Sequence, residues 1–423
     1  MYLPTDFIQK RLEEHGFFVS GDMLYVSSEH GCSKASEGRL FEVMLKRESI
    51  SPDSVLHMGD DENGDVTMAN ARGLRVQPFV RGRLSVREKA LADEGSLGPR
   101  LLRSQLAGAS RLARLDCPHP MGDPQQRLWC MVCESVAPAF FGFVREVLKR
   151  AKEQGLDRLL FMGRDGQIFL RIAEFLTAGT KDFPTLQYVY GSRLAWSPTS
   201  FLELGERGLD EVFRKTHRTS VRLVFSRIGL MPEKLTEQLL SSGFPPEKWQ
   251  RDLSLDERSQ LRALLRSEKT RQALLAAAEA ATAEACAYLR SLGIGQKENL
   301  GFVDLGWSGR LFANFDLLSS EANLNQSEAP VGFFFGLKKD LPPSVANRSF
   351  GFISSPDSTP SNSWVFAAAT WLEAFASADH GSTVSYEDGR PILSTFPASN
   401  LRSVNTTQEA VLAYSRQLCA NLE

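Results

Sequence analysis

LLFMGRDGQIFL, residues 159–170, is the segment from which the fold class can be predicted most directly. Its leading apolar residues predict a buried strand, residues 163–166 are a turn signal, and the apolar pattern from Ile168 onward predicts a helix. This order is typical of an open α/β sheet, in which ligands bind beyond the carboxyl ends of the strands. Arg164 and Asp165 therefore fall where a phosphate could be paired and where a metal could be held or a proton accepted.

GFVDLGWSGR, residues 301–310, has the same order of features. A predicted strand delivers Asp304 to its end, and a glycine-bearing loop of residues 306–309 precedes another predicted helix. A third predicted strand ends in Gly191-Ser192-Arg193, which is directed to the same edge. Two strand-end carboxylates beside glycine loops predict one site for a phosphorylated ligand. The alternative is that these are ordinary strand-to-helix turns whose carboxylates cap helices.

The composition of the chain excludes several classes of protein. Its 423 residues include 49 Lys and Arg against 51 Asp and Glu, and this balance argues against a nucleic-acid binder that works through bulk charge. Six cysteines without disulfide spacing suit a reducing compartment. The one C-x-x-C, Cys130 to Cys133, lies in an apolar run and is interpreted as a helix face. No signal peptide or transmembrane segment is predicted, and the expected location is the cytoplasm.

Residues 1–80 predict a small α/β unit. Helices are expected at residues 5–15 and 37–47, and strands at residues 23–27, 55–58 and 74–79. The strand at 55–58 runs into the acidic sequence GDDENGD, residues 59–65.

Ser33-Lys34 and GDDENGD resemble two motifs of the haloacid dehalogenase phosphatases. The resemblance implies that the Lys34 ammonium offsets charge on the nucleophile and phosphate. It also implies that Asp60 and Asp65 hold magnesium, which prefers hard oxygen ligands. The fold class implied for residues 1–80 is a haloacid dehalogenase-like Rossmannoid segment.

The aspartate nucleophile of that family and its Ser/Thr motif have no counterpart ahead of Lys34. We therefore expect an amino-truncated, incomplete phosphatase core that lacks its first strands. Without the nucleophile no aspartyl-phosphate intermediate can form, so phosphatase activity is predicted to be absent. Loss of the central strand should also leave unpaired strand edges and exposed apolar surface.

The remainder of the chain predicts a linker and a larger domain. Residues 81–125 are expected to be helical or linker-like. Residues 126–423 are expected to form an α/β domain with a mostly parallel sheet and a helical insertion. Residues 340–362 are interpreted as rich in loops. A helix is predicted at residues 364–376 with Trp371 facing inward, and His380, which follows it, is interpreted either as a site residue or as a helix cap.

Four short motifs together resemble the dual-domain bacterial ribofuranosyltransferases of surface-polysaccharide assembly. These motifs are RDG at 164–166, SR at 192–193, DLGWSG at 304–309 and LE…HGS at 372–382. In that family a phosphoribosyl phosphatase of the haloacid dehalogenase type is fused to a glycan phosphoribosyltransferase. The domain order of this chain agrees with that arrangement.

The resemblance implies transfer of a phosphoribosyl group from phosphoribosyl pyrophosphate to a hydroxyl of a glycan acceptor, free or lipid-linked. Asp165 and Asp304 are the catalytic candidates: either could be the base, and the other would then hold Mg²⁺. The residues expected to bind donor and phosphate are Arg164, Gly166, Arg193, Gly306, Ser308 and Gly309. The second-tier candidates are Glu373 and His380 for ribose or its phosphate, and Trp307 as a sugar-stacking or a core side chain.

Two other functions remain open from the sequence. One is a phosphatase of the haloacid dehalogenase family whose nucleophile half is missing from this chain. The other is a non-catalytic scaffold in a polysaccharide-assembly complex. Donor binding separates the scaffold from the transferase, because a scaffold should not bind phosphoribosyl pyrophosphate.

Overall fold

The computed structural model describes residues 3–93, 97–204, 208–209, 212–213, 219–294, 297–324, 328–356 and 364–420. These residues divide into two units, one that runs up to Asp116 and one that spans Cys117–Ala420. The boundary between the units falls within residues 81–125, the segment expected to be helical or linker-like. Each unit is described by itself below.

The first unit contains a two-stranded parallel sheet. Strand β1, Leu56–Gly59, pairs with β2, Arg75–Pro78. A small core of Phe41, Ala69 and Leu74 lies beside it. The helices of this unit are Thr5–Glu14, Ser27–His30, Arg39–Glu48, Met68–Ala71, Val86–Asp93 and Leu97–Leu115, with a π-helical turn at Glu62–Thr67.

The strand predicted at residues 23–27 is wrong. Residues 23–26 have no strand partner, and a helix begins at Ser27. A short apolar segment becomes a strand only when a neighbouring strand pairs with its backbone N–H and C=O groups, and no described strand pairs with residues 23–26.

Apolar side chains of β1 are exposed, as expected for an incomplete core: Leu56 is 55% exposed and Met58 is 56% exposed.

Two helices follow β2 in the first unit, in the stretch expected to be helical or linker-like. The buried carboxylate of Glu88 accepts hydrogen bonds from Ser110 Oγ at 3.0 Å and from Arg114 Nη2 at 2.9 Å. A buried carboxylate with charged and neutral donors ties the helix Val86–Asp93 to the helix Leu97–Leu115. This stretch is therefore a packed helical pair.

The second unit is α/β and is built on a five-stranded parallel sheet with the strand order β4-β3-β5-β6-β7. Its strands are β3 Arg158–Met162, β4 Thr185–Val189, β5 Leu300–Trp307, β6 Val331–Leu337 and β7 Ser349–Ser354. A separate antiparallel hairpin is formed by β8, Thr383–Glu387, and β9, Arg390–Leu393. The predicted mostly parallel sheet is confirmed. Strand β7 lies within residues 340–362, where loops were expected.

Helices cover the sheet and connect its strands. Pro124–Met131, the π-helical Val132–Val136 and Ala137–Glu153 precede β3. The helices that follow are Gly166–Thr177, Arg193–Leu204, Val221–Ser226, Thr236–Ser241, Leu255–Arg266, Glu268–Ser291, Arg310–Glu321, Trp364–Ala367, Ala369–Phe375 and Ala398–Ala420. Among the described residues, the run Pro124–Glu153 is long and apolar enough to cross a membrane, and half of its most apolar window is buried.

Aromatic side chains fill both faces of the sheet. Successive strand residues point to opposite faces. Phe335 packs edge-on against Phe140 at 5.5 Å between ring centroids, whereas Phe334 lies 6.0 Å from Phe302 on the other side. A further apolar cluster, from Phe201 to Ala278, lies within the helical segment between β4 and β5. The helical segment therefore has a core of its own.

The segment predicted as one helix at residues 364–376 is two short helices, and Trp371 does not face inward. Its side chain is 68% exposed. The inner face is occupied by Phe366 and Glu373, which both contact Trp307. Residues two positions apart on a helix lie on nearly opposite sides, so Glu373 facing inward places Trp371 outside.

Candidate functional site

Three neighbouring strands bring the predicted catalytic residues to one edge of the sheet. Strand β3 lies between β4 and β5, all three run parallel, and Phe161 of β3 is paired with Val303 of β5. Asp165 follows the end of β3, and Asp304 lies in the last half of β5 with only 5% of its surface exposed. The carboxyl ends of parallel strands share an edge, so the two carboxylates approach each other there.

The electrostatics of this edge couple the two aspartates. Burial and the negative charge of Asp304 together raise the pKa of Asp165 to about 8, against the opposing charges of Arg164 and Arg193. Burial likewise raises the pKa of Asp304 to about 7, against hydrogen bonds from the backbone N–H groups of Leu305 and Gly306 and the charge of Arg193. Burial and the neighbouring negative charge of Asp304 therefore favour the protonated form of Asp165 near neutral pH.

Glu373 belongs to the same group of charges. Its carboxylate raises the pKa of both Asp165 and Asp304. It also accepts a hydrogen bond from Trp307 Nε1 at 3.0 Å, and this contact holds the partly exposed indole ring beside the end of β5. The structure thus brings together five of the predicted site residues: Arg164, Asp165, Arg193, Asp304 and Glu373.

A hydrogen-bonded chain holds the turn that carries Arg164 and Asp165. Arg164 has a φ of +69°, a left-handed conformation. Its backbone N–H donates to Tyr188 Oη at 2.7 Å, and Tyr188 Oη lies 2.8 Å from His380 Nε2. His380 Nδ1 lies 2.8 Å from the carbonyl oxygen of Gly381, which can only accept. Nδ1 therefore donates to this carbonyl oxygen, and the tautomer protonated on Nδ1 accepts a hydrogen bond from the Tyr188 hydroxyl at Nε2.

His380 therefore contacts the turn after β3 only through the hydroxyl of Tyr188 in this hydrogen-bonded chain. Burial raises the pKa of Tyr188, so its hydroxyl remains a donor for His380 at neutral pH. The sequence analysis missed Tyr188, because a tyrosine in a strand is typical of a core position. The sequence signal that could have identified Tyr188 as a site residue was its position near the end of β4, just before the polar residues 191–193.

A second set of bonds joins the same turn to the segment around His380. Gln167 Nε2 donates to Asp379 Oδ1 at 2.7 Å, and the Asp379 backbone N–H donates to Gln167 Oε1 at 3.2 Å. The buried side chain of Gln408 donates to Gln167 Oε1 at 2.7 Å. Arg164 Nη1 lies 3.3 Å from Ser382 Oγ. Hydrogen bonds from residues 379–408 thus hold the turn after β3 in place.

Glycines are required at both predicted loops. A Cβ at Gly166 would lie 2.8 Å from the backbone carbonyl carbon of Phe161, so only glycine lets the helix begin this close to β3. Gly306 has a φ of +133°, and a Cβ there would overlap the carbonyl oxygen of Gly336. Ser308 and Gly309 precede the helix Arg310–Glu321, and Ser308 is partly exposed. Close approach of backbone to a ligand is a common use of such positions.

The residues present suit a hard cation without forming a complete cage. Among the described residues no three His, Cys, Asp or Glu side chains are placed to hold a metal ion. Mg²⁺ is commonly bound through one or two carboxylates, with water and substrate phosphate supplying the remaining oxygens. Asp165 and Asp304 offer two such carboxylates. The assignment of Mg²⁺ remains a prediction.

The first unit holds a different acidic arrangement. Asp65 is 4% exposed and forms an ion pair with Lys34. His57 Nε2 lies 3.0 Å from Asp65 Oδ1. Burial opposes ionisation of Asp65, but hydrogen bonds from Lys34 and His57 outweigh it and lower its pKa to about 2. Asp60, its expected partner, lies 3.4 Å from Arg111. The two carboxylates therefore have separate partners.

No protein-family model matches this chain, and no curated protein matches it. The assignment of function consequently depends on the geometry of the site and on the motifs of the sequence.

Proposed function

We propose that the second unit is a glycan phosphoribosyltransferase, which transfers a phosphoribosyl group from phosphoribosyl pyrophosphate to a hydroxyl of a bacterial surface glycan. The observation that carries the proposal is the electrostatic coupling of Asp165 and Asp304 beside Arg164 and Arg193. A phosphorylated donor needs cationic groups, and the acceptor hydroxyl needs a carboxylate within reach. The edge of the sheet supplies both kinds of group.

The donor would be held through its phosphates. The guanidinium groups of Arg164 and Arg193 suit phosphate oxygens, and the backbone N–H groups of residues 306–309 can take up negative charge. Asp304 with the pyrophosphate oxygens offers a donor set that suits Mg²⁺, which when bound would neutralise charge on the leaving group.

The chemical step joins the acceptor oxygen to the anomeric carbon of the donor. The bond between that carbon and the pyrophosphate oxygen breaks, pyrophosphate leaves with the bonding electrons, and the hydroxyl proton passes to a carboxylate. We assign proton acceptance to Asp165. Asp304 accepts backbone hydrogen bonds that favour its ionised form and is the better ligand for a cation. A pKa near the operating pH suits a general base.

For the first unit we propose a phosphatase remnant of the haloacid dehalogenase type without hydrolase activity. The contact of Lys34 with Asp65 supports the match to the lysine and acidic motifs. Residues 1–80 offer no counterpart to the aspartate nucleophile. The full chain should therefore release no inorganic phosphate from ribose 5-phosphate. Phosphate release that is lost in Asp65→Asn would favour the alternative phosphatase function.

The proposal is tested by pyrophosphate release from phosphoribosyl pyrophosphate with Mg²⁺ and a panel of surface glycans. The full chain should release pyrophosphate only when an acceptor glycan is present. Asp165→Asn and Asp304→Asn should each slow release by about a hundredfold or more, because each removes a charged group from the reacting centre. Asp182→Asn is the matched control, since Asp182 lies 79% exposed before β4, at the other end of the strands. Undiminished release in both site variants would refute the proposal.

A further inference from the structure

Cationic side chains follow strands on both sides of β5 at the edge that holds the candidate site. Arg164 follows β3 and Arg193 follows β4, and these two strands lie on one side of β5. Lys338 follows the end of β6, which lies on the other side of β5. Neighbouring strands are about 5 Å apart, so β6 lies about 10 Å from β3. The strand that carries Asp304 is therefore flanked by the two arginines and by Lys338.

Backbone and ring contacts place Lys338 beside Trp307. The Lys338 backbone N–H donates to the Trp307 carbonyl oxygen at 2.8 Å. A Cβ at Gly336 would lie 2.8 Å from the Trp307 ring, so the ring covers this position of β6. Residues two positions apart on a strand share a face of the sheet, so Lys338 emerges on the same face as the Trp307 ring.

The Lys338 ammonium is held by an aromatic ring. Its Nζ lies 5.7 Å from the centroid of the Phe366 ring, a distance at which a cation is attracted to the ring. Phe366 in turn lies 6.0 Å from the Trp307 ring, whose Nε1 donates to Glu373. Lys338 is exposed, and no described residue forms an ion pair with it. Its charge is therefore available to an anion at this edge.

We propose that Lys338 binds the 5-phosphate of the phosphoribosyl donor, an inference that rests on the proposed transfer reaction. The donor carries pyrophosphate on its anomeric carbon and a phosphate at the other end of its ribose. Arg164 and Arg193 bind the pyrophosphate beside Asp304, so the 5-phosphate extends away from these arginines. Lys338 lies on that side of β5, and the partly exposed Trp307 ring lies between the two ends of the donor.

Lys339 distinguishes a specific site from general attraction. It carries the same charge one position further along the chain and is also exposed, but no described aromatic ring holds its ammonium. A general attraction of the anionic donor would involve both lysines about equally. A phosphate site beside Trp307 involves Lys338 alone.

The test is calorimetric titration of the full chain with ribose 5-phosphate and, separately, with pyrophosphate and Mg²⁺. Lys338→Gln should weaken binding of ribose 5-phosphate by about tenfold, because one charge-assisted contact is lost, and should leave pyrophosphate binding unchanged. Lys338→Arg should retain most of the affinity for ribose 5-phosphate. Lys339→Gln is the matched control and should bind both ligands like the unaltered chain.

Four results of these titrations would overturn the inference. They are absence of ribose 5-phosphate binding by the unaltered chain, unchanged binding in Lys338→Gln, equal losses in Lys338→Gln and Lys339→Gln, and a loss of pyrophosphate binding in Lys338→Gln.

Kinetics separate this inference from the transfer reaction. Lys338→Gln should raise the KM for phosphoribosyl pyrophosphate about tenfold with little change in kcat, because the 5-phosphate is remote from the bond that breaks. Acceptor-dependent pyrophosphate release with an unchanged KM in Lys338→Gln would overturn the role of Lys338 alone. Ribose 5-phosphate binding that depends on Lys338, without any pyrophosphate release, would refute the transfer reaction and support the phosphate site.

Discussion

Asp65 in the first unit and the Asp165–Asp304 pair in the second are carboxylates at strand-end turns, and their pKa values move in opposite directions. Asp65 has Lys34 and His57 as donors, and its pKa falls to about 2. Asp165 and Asp304 have other carboxylates as neighbours, and burial with these charges raises their pKa values to about 8 and about 7. Burial acts in the same sense on all three, so the neighbours decide the outcome.

Asp65 has hydrogen-bond donors for its carboxylate within its own unit. The carboxylates of Asp165 and Asp304 instead need a proton or a bound cation to offset their charge. A buried carboxylate with cationic donors is already neutralised and stabilises the folded state. Carboxylates whose pKa is raised by burial and by neighbouring carboxylates are a cost to stability unless a proton or a bound cation offsets their charge. Such costs are typical of functional sites. This contrast supports a binding role for the second site and a structural role for Asp65 in this chain.

The largest expected effect is on the stability of the second unit. The folded pKa of Asp304 is raised from 3.8 to about 7, so the folded state binds more protons than the unfolded state between these values. Stability therefore falls as pH rises through that window, by about 4 kcal/mol from this group. Asp304→Asn should remove most of this fall.

Urea unfolding at pH 5 and pH 8.5, followed by tryptophan fluorescence, measures the part of that fall that lies above pH 5, which is about 3 kcal/mol. All six tryptophans lie between residues 117 and 420, so the signal reports the second unit alone. An identical pH dependence in Asp304→Asn and in the unaltered chain would break the contrast between the two sites.

For Asp65 we expect a smaller pH dependence of folding stability, and one of opposite sign. Its folded pKa of about 2 lies below the ordinary value of 3.8, so the stabilisation is present above pH 4 and is lost as pH falls toward 2. The loss should be about 2 kcal/mol. Hydrogen exchange of peptides covering residues 56–78, at pH 3 and pH 6 and corrected for intrinsic rates, should show about half of this loss, because pH 3 lies midway between the two pKa values. Asp65→Asn should have the same protection at both pH values, and a persisting difference would count against the ion pair.

The smallest effect concerns the turn after β3. Tyr188→Phe removes the hydroxyl that joins the Arg164 backbone N–H to His380, which should cost about 1 kcal/mol of stability. Because the turn carries two site residues, donor affinity should also fall about tenfold. Tyr386→Phe is the control: its hydroxyl donates to the Tyr190 carbonyl oxygen at 2.7 Å, and its loss should leave donor affinity unchanged. Equal affinity in both variants would remove the positioning role of Tyr188.

The sequence predicted those parts of the fold whose signals are local. Apolar runs located β3, β5 and β6, and the polar residues that follow strands located Asp165, Arg193 and Asp304 on one edge. These predictions succeed because a buried parallel strand needs a continuous apolar run and because parallel strands end together.

Other features depend on partners far along the chain. The failed strand at residues 23–27 had the right composition but no neighbour to pair with. Trp371 was placed inward because it is large and apolar, whereas the contacts of Phe366 and Glu373 with Trp307 set the orientation of the helix. The link from Arg164 through Tyr188 to His380 spans more than two hundred residues, and no local pattern encodes it.

Calorimetric titration of the full chain with phosphoribosyl pyrophosphate and Mg²⁺, at pH 7 in two buffers of different ionisation enthalpy, tests the central claim most directly. If the buried pair is the donor site, binding should displace about one proton, because cation binding requires ionised carboxylates. The observed heat should then differ between the buffers, and that difference should vanish in Asp304→Asn and persist in Asp182→Asn. Absence of binding heat, or a buffer dependence unchanged in Asp304→Asn, would contradict the assignment of this pair as a cation-assisted donor site.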